Sequence, residues 1–556
     1  MRILRNFVCM LLLALPASAA DIYISQSGSG GGTSCSDTRS AAWFNSNAVG
    51  GNTYHLCGTF TGAANAAAML TVPASGTAGS PLIVYAEANA LFTAPYWNGN
   101  YIDSGELHGA IVNGQNYVIL DGGANGTVQN TASGDALTYQ IATWGMSSTG
   151  SNVIIRNWTI QNIYVATSGA FLGQGDRTAD LMIGGTNVTV CNNLLTYAYV
   201  SVMDVATGSP STQNNNCQSN SFVAGVNIFL NTVQNSPWNV NVSPDVAASP
   251  NIYANHFQLA GPWGIRVNGC DVGNDAHTDG VIVYNTGNVV VTPFIYNNDF
   301  IGDLGADCPT AHIYCSYGTS PGGSACSIFN NVMVNTGVST ALEGAVILGN
   351  GSGQTIGPHK VYNNTDLNHT TTHWVANQYQ SAGNDTYKNE IMQTSFSDTG
   401  SFFYGYNTSA PYSILATDYN VYYDPTTGGT AGWWVHNTTY NSLSAWQTGC
   451  SGGGGSPCDP HSVYGNPLLD GNYRLQAGSP AIGAGQNLTS SCTGQTAPLC
   501  YDKPPTVGRG GSLGGNNLRP TGAAAWDAGA YQYSSSSPIV TGAQGNLTIS
   551  GSVAIK

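Results

Sequence analysis

The chain has 556 residues and a formal net charge of −15, with 7% charged, 42% hydrophobic and 10% aromatic residues. So apolar a composition excludes a disordered chain and supports a large buried core. So few cations exclude nucleic acid as a partner, because a phosphate backbone demands a basic face.

The opening "MRILRNFVCMLLLALPASAA" carries Arg2 and Arg5, then an apolar run from Phe7 to Leu15 and small residues up to Ala20. The run is too short to span a bilayer, so residues 1–20 are expected to be a secretory signal peptide. No later segment has a membrane-spanning apolar run. The expected location is secreted or at the cell surface.

Beyond Cys9 in the signal, twelve cysteines remain. Near pairs are Cys35 with Cys57, Cys191 with Cys217, Cys315 with Cys326, Cys450 with Cys458, and Cys492 with Cys500; Cys270 and Cys308 are left over. In an exported chain without C-x-x-C spacing, disulfides are expected rather than metal thiolates.

The middle of the chain repeats one form. "SNVIIRNWTIQNIY" from Ser151, "TNVTVCNNLLTYAYV" from Thr186, "PFIYNNDFIGDL" from Pro293, "CSIFNNVMVNTG" from Cys326 and "HKVYNNTDLNHT" from His359 share it. Each has an alternating apolar strand, then Asn or Asn-Asn, then another apolar strand. No long 3.6-residue periodicity interrupts them. Units recurring every 25 to 40 residues or so cannot bury their apolar faces alone, and stacking buries them. The expected fold is all-β, a right-handed parallel β-helix over residues 21–533. Asparagines at one turn of successive coils are expected to hydrogen-bond along the stack. "SSSSP" then opens a Ser-rich linker and short tail over residues 534–556.

The segment "NGCDVGNDAHTDGVIVYNTG", residues 268–287, concentrates Asp271, Asp275, His277 and Asp279 among the longest insertions between coils. Insertions in a solenoid gather on one face, often the binding face. His277 and Asp279 alternate into a strand and share a side. Neighbouring coils offer Arg266, Glu343, Asp204 and His312. Paired carboxylates such as Asp279 with Asp275 or Glu343 suit glycoside hydrolysis, with His277 tuning the acid. Elimination from a uronate needs a base and a cation for the enolate. Arg266, or a calcium held by Asp271 and Asp275, is the available source of that charge, although the spacing does not match an EF-hand loop. No other cofactor or metal is called for. Beyond the signal the chain has four lysines, Lys360, Lys388, Lys503 and Lys556, which favours hydrolysis. The alternative for this acidic stretch is ordinary turn chemistry, which is favoured for Asp271 beside Cys270.

Elsewhere, "DGGANG" at Asp121 reads as a strand end and turn. "WVHNTTYNSLSAW" offers Trp434, His436 and Trp446 either as a sugar-stacking surface, with Trp434 joining Asp204 and His312 as substrate-binding candidates, or as packing of a C-terminal cap. "CSGGGGSPCDPHS" reads as a disulfide-closed loop bringing Asp459 and His461.

The repeats, the opening "DIYISQSGSGGGTSC" and the closing "GNPLLDGNYRLQAGSPAIGAG" resemble the pectin-lyase-like β-helix superfamily of exported bacterial proteins. "HTDG" is similar to the "NTDG" element of polygalacturonases, and that likeness would make Asp279 catalytic, with His277 in place of the Asn. The companion Asp-Asp, Gly-His-Gly and Arg-Ile-Lys elements are absent, as is the Trp-Ile-Asp-His element of pectate lyases. The resemblance therefore implies the superfamily fold and an extracellular or cell-wall polysaccharide partner, and no subfamily. A non-catalytic adhesin-like or filament-forming solenoid, self-associating through its ends, is the second expectation.

Overall fold

The computed structural model describes residues 19–98, 107–133, 137–139, 143–163, 179–198, 200–204, 212–236, 238–243, 249–259, 278–284, 290–302, 309–317, 323–335, 344–350, 357–369, 373–377, 385–394, 401–405, 415–425, 432–435, 438–450 and 457–534. Three long sheets, of fifteen, thirteen and thirteen strands among these residues, run the length of the molecule. Nearly every neighbouring pair is parallel and belongs to the next coil, as for Val153–Arg156 against Val188–Cys191. The fold is a right-handed parallel β-helix. We call the sheets first, second and third in the order the chain visits them, represented by Val153–Arg156, Thr159–Gln161 and Ala179–Ile183.

The Asn-Asn repeat has a distinct job for each residue. The first takes the left-handed conformation that turns the chain from the first sheet into the second: φ is 57° at Asn192, 58° at Asn297, 56° at Asn330 and 56° at Asn363. Asparagine tolerates this region better than most side chains. Leu230 and Ala254 occupy the same position with φ of 55° and 54°, so the stack imposes the turn even without Asn. The second residue builds a buried ladder of Asn193, Asn231, Asn255, Asn298, Asn331 and Asn364. Each Oδ1 accepts both the backbone N–H and the Nδ2–H of the preceding member at 2.9–3.1 Å. This satisfies turn amides that no β ladder reaches.

Glu390 takes the next rung. It is fully buried and accepts Asn364 N–H on both carboxylate oxygens, each at 3.2 Å. Burial, with Asp366 adding to it, pushes its pKa well above the ordinary glutamate value, against the Asn364 hydrogen bonds. A raised carboxyl pKa means the native state holds its proton more tightly than the unfolded chain. Its contribution is therefore complete below about pH 4.5 and is lost as pH rises through the native pKa. Glu390→Gln should gain stability relative to wild type as pH rises above about 4.5, by at most about 1.4 kcal/mol per pH unit. Urea midpoints across pH 4 to 8 that differ by a constant amount would refute this.

Both ends of the lumen are closed. At the N-terminal end the helix Ala41–Asn47, capped by Ser40 Oγ accepting from Trp43 N–H at 3.1 Å, buries Phe44. At the other end the helix Leu443–Gly449 buries Trp446 against Trp433. Asp459 is buried there and accepts from Thr417, Asn420, Tyr422, Trp446 and Ser462. It is a hub of this closure, while His461 stays exposed and bonds Asp418. The five near pairs of cysteines form disulfides; Cys270 and Cys308 lie outside the described residues. Asp121 ends its strand, accepts Gly123 N–H and pairs with buried Arg156 at 2.7 Å.

The closing segment does more than stop the helix. From about Gly485 it returns as a strap along the outside of the coils, toward the N-terminal end. Gly529 N–H bonds Asn389 O, Ala530 N–H bonds Thr365, Gly508 N–H bonds Ala254 O and Arg509 reaches Thr159. Beneath it the rings of Phe229, Tyr253, Tyr296 and Phe329 stack at 4.7–5.0 Å between centroids. Lys503, 1% exposed, pairs with Asp299 at 2.8 Å. Burial opposes its charge, yet the Asp299 carboxylate holds its pKa above the ordinary lysine value. Arg519 is equally buried and donates to Asn330 and Gly529 O; burial lowers its pKa to about 10.

Candidate active site

Asp279 begins the strand Thr278–Tyr284 of the third sheet. Its register neighbours are Trp238 on one side and Ala311 on the other, and the same row continues through Val200, Ala179 and Trp144. None of these belongs to the core packed in the lumen, whereas Leu181, Val202, Val240, Val281 and Ile313, two residues along, all do. Between the two rows runs a third: Gly145, Asp180, Ser201, Asn239, Gly280 and His312. This row also faces the lumen. A Cβ on Gly280 would lie 2.6 Å from the Phe300 ring, and one on Gly145 would lie 2.4 Å from Ile160. Two successive rows therefore point inward, as at a β-bulge, and the alternation is reversed at the start of each strand.

The reversal decides which groups share a face. Asp279 is turned outward, away from the lumen, and is fully buried. Its Oδ1 accepts Ala311 N–H at 3.1 Å. Trp238 is its register partner on the adjacent strand, with the two backbones roughly 5 Å apart. Ala311 contributes only a methyl on the other side. His312 is turned inward, with its ring 6.0 Å from Phe300, and is fully buried. Asp204 is in register with Ile183 and Val242, both members of the lumen core, and is also fully buried. Two strands and four residues separate it from Asp279, roughly 16 Å along the sheet. That exceeds the separation of paired glycosidase carboxylates, about 5–9.5 Å. Asp204 and His312 thus do not share the face of Asp279. Trp434 sits half-buried near the far end of the same sheet, opposite Tyr404 and Thr439. His277, Asp275, Glu343, Arg266, Asp271 and His436 lie outside the described residues.

One carboxylate that sequence reasoning passed over is Asp180, on the lumen side next to Ser201. It is fully buried, and burial pushes its pKa well above the ordinary aspartate value, with Ser201 acting the other way. Its signal was an aspartate one residue before the core-facing "LMI", where an apolar residue was due. The other missed neighbours are Trp144 and Trp238, which only the register aligns with Asp279.

Among the solved structures, the chain is similar to that titled "Crystal structure of pectate lyase Pel9A". The identity is 13% and the TM-score 0.39, with 93% of this chain and 97% of that chain covered. No protein-family model and no curated protein matches the chain.

The described cations are Arg39, Arg156, Lys360, Lys388, Arg474, Lys503, Arg509 and Arg519. Arg39, Arg156, Lys360 and Lys388 sit on the first sheet, and the other four belong to the closing segment. None lies on the third sheet. Among the described residues the one group with metal-ligand spacing is Cys315, Cys326 and His359, and there the two cysteines are joined to each other. His359 Nδ1 accepts Cys326 N–H, and burial holds its pKa down at about 3, so it is a neutral core residue.

Proposed function

We propose that the protein is a secreted carbohydrate-active β-helix enzyme that cleaves a polysaccharide on the outer face of the third sheet, with Asp279 as a catalytic carboxylate. The observation that carries this reading is the placement of Asp279. A buried carboxylate faces away from the lumen core, accepts Ala311 N–H and lies in register with Trp238 of the adjacent strand. A buried carboxylate on the outer side of a sheet is a setting in which acid–base groups are found.

Hydrolysis is favoured over elimination. Removing the proton next to a uronate carboxylate builds enolate charge that a cation or metal must offset. The scarcity of lysine, four beyond the signal, supports the hydrolytic route. In it, one carboxylic acid protonates the leaving oxygen and a second carboxylate activates water or attacks the sugar. Asp275 and Glu343 are the proposed partners for Asp279. His277 is proposed to adjust the acid, and Arg266 to supply positive charge to the reacting groups. A signal peptide over residues 1–20 and five disulfides fit export. Among the described residues no helix is long and apolar enough to cross a membrane.

The test is product analysis on a panel of neutral and uronate polysaccharides, reading new reducing ends and unsaturated ends separately. The expected result is reducing ends without unsaturation from at least one substrate. Unsaturated ends would assign elimination instead, and no release from any substrate would leave the non-catalytic reading standing.

A further inference from the structure

A cleft lies away from the Asp279 face, where the closing segment meets the outside of the second sheet. It encloses about 370 Å³ and is lined by Leu367, Gln393, Asn466, Leu468, Tyr473 and Gln476, among others. Leu367 and Gln393 are register neighbours on successive coils and form its floor. The walls come from the turn region 466–476.

Two observations mark these walls as more than filler. Leu468 and Tyr473 both hold left-handed backbone, with φ of 46° and 63°. Bulky residues resist this region, and such strain persists where the surroundings enforce it, often at binding sites. Here they do. Asp470 Oδ1 accepts Asn472 and Arg474 N–H, and Gln476 N–H bonds Leu468 O. The result leaves Leu468 38% exposed at the mouth and packs one side of Tyr473 on the cluster of Val332, Leu367 and Tyr531.

The second observation is chemical. The cleft combines apolar surface from three leucines and a tyrosine with three amide side chains. Its one carboxylate, Asp470, already accepts from its own turn. Arg474, the nearby cation, lies over Tyr531 at 5.1 Å. A ligand with an apolar face and a rim of hydroxyls suits this lining, and an anionic one does not.

We propose that this cleft is a binding subsite for an uncharged sugar unit of a neutral polysaccharide, separate from the Asp279 face. The C–H face of the ring lies against Tyr473 and Leu468, and its hydroxyls meet Gln393, Asn466 and Gln476.

Affinity gel electrophoresis of the full chain tests this, with β-glucan, xyloglucan, galactomannan or xylan in the gel and polygalacturonate as the anionic comparison. At least one neutral polymer should retard the wild type, and polygalacturonate should not. Tyr473→Gly removes the ring and suits the left-handed backbone, and Gln393→Ala removes one amide from a regular strand. Each should weaken retardation at least about tenfold in Kd. Reducing-end release measured on the same two variants reads loss of cleavage separately from loss of this site. If Tyr473→Gly does not fold, Gln393→Ala alone decides. Overturning results are no retardation by any neutral polymer, stronger retardation by polygalacturonate, or folded variants retarded like wild type.

Discussion

Asn298→Ala is expected to destabilise the protein by roughly 3–5 kcal/mol, the largest effect of any single ladder substitution considered. Asn298 Oδ1 accepts both Asn255 N–H and Asn255 Nδ2–H, and its Nδ2 donates to Ile252 O and Asn331 Oδ1. Alanine keeps none of these side-chain bonds. The Asn255 N–H and one Asn255 Nδ2–H are then buried without partners, each at about 1–3 kcal/mol, and the Ile252 carbonyl loses one of its bonds. The turn itself survives, because Asn297 supplies the left-handed residue. The exposed Asn125→Ala should shift stability by less than about 0.5 kcal/mol and serves as the comparison. Urea midpoints followed by circular dichroism measure both. A loss below about 1 kcal/mol at Asn298 would show that water or relaxation replaces the rung.

The parallel β-helix was legible because one local motif carries two separable constraints. Asn-Asn marks a left-handed turn residue followed by a ladder residue, and both recur at coil length. The near pairs of cysteines were legible for a related reason: each spans at most one coil. The strap was not legible. Arg509 meets Thr159 across 350 residues, and Lys503 meets Asp299 across about 200. No local pattern announces such partners, and an isolated lysine in "YDKPP" reads as surface.

The candidate site was half legible. The acidic cluster and its strand were visible, but the direction of each side chain was not. Simple alternation from Val281 and Val283 would turn Asp279 into the lumen, and alternation from Ile313 would turn His312 outward. The extra inward row at Gly280 and His312 reverses both. A local break in alternation shared by successive coils changes neither register nor composition, so it leaves little trace in a single sequence. Trp434, set among candidate stacking aromatics, is half-buried, while its neighbours Trp433 and Trp446 close the lumen.

Asp279→Asn carries the largest expected effect on activity. The amide keeps the Oδ1 that accepts Ala311 N–H, so the fold should be retained. It cannot give or take a proton. Loss of one acid–base group lowers rate by roughly 10²–10⁴-fold. The decisive measurement is therefore the initial rate of reducing-end release by wild type and Asp279→Asn on the polysaccharide that the wild type degrades. Equal circular dichroism spectra establish that both are folded. The account predicts a fall of at least about 100-fold for the variant, with saturated products throughout. A folded variant that releases product at the wild-type rate would contradict it.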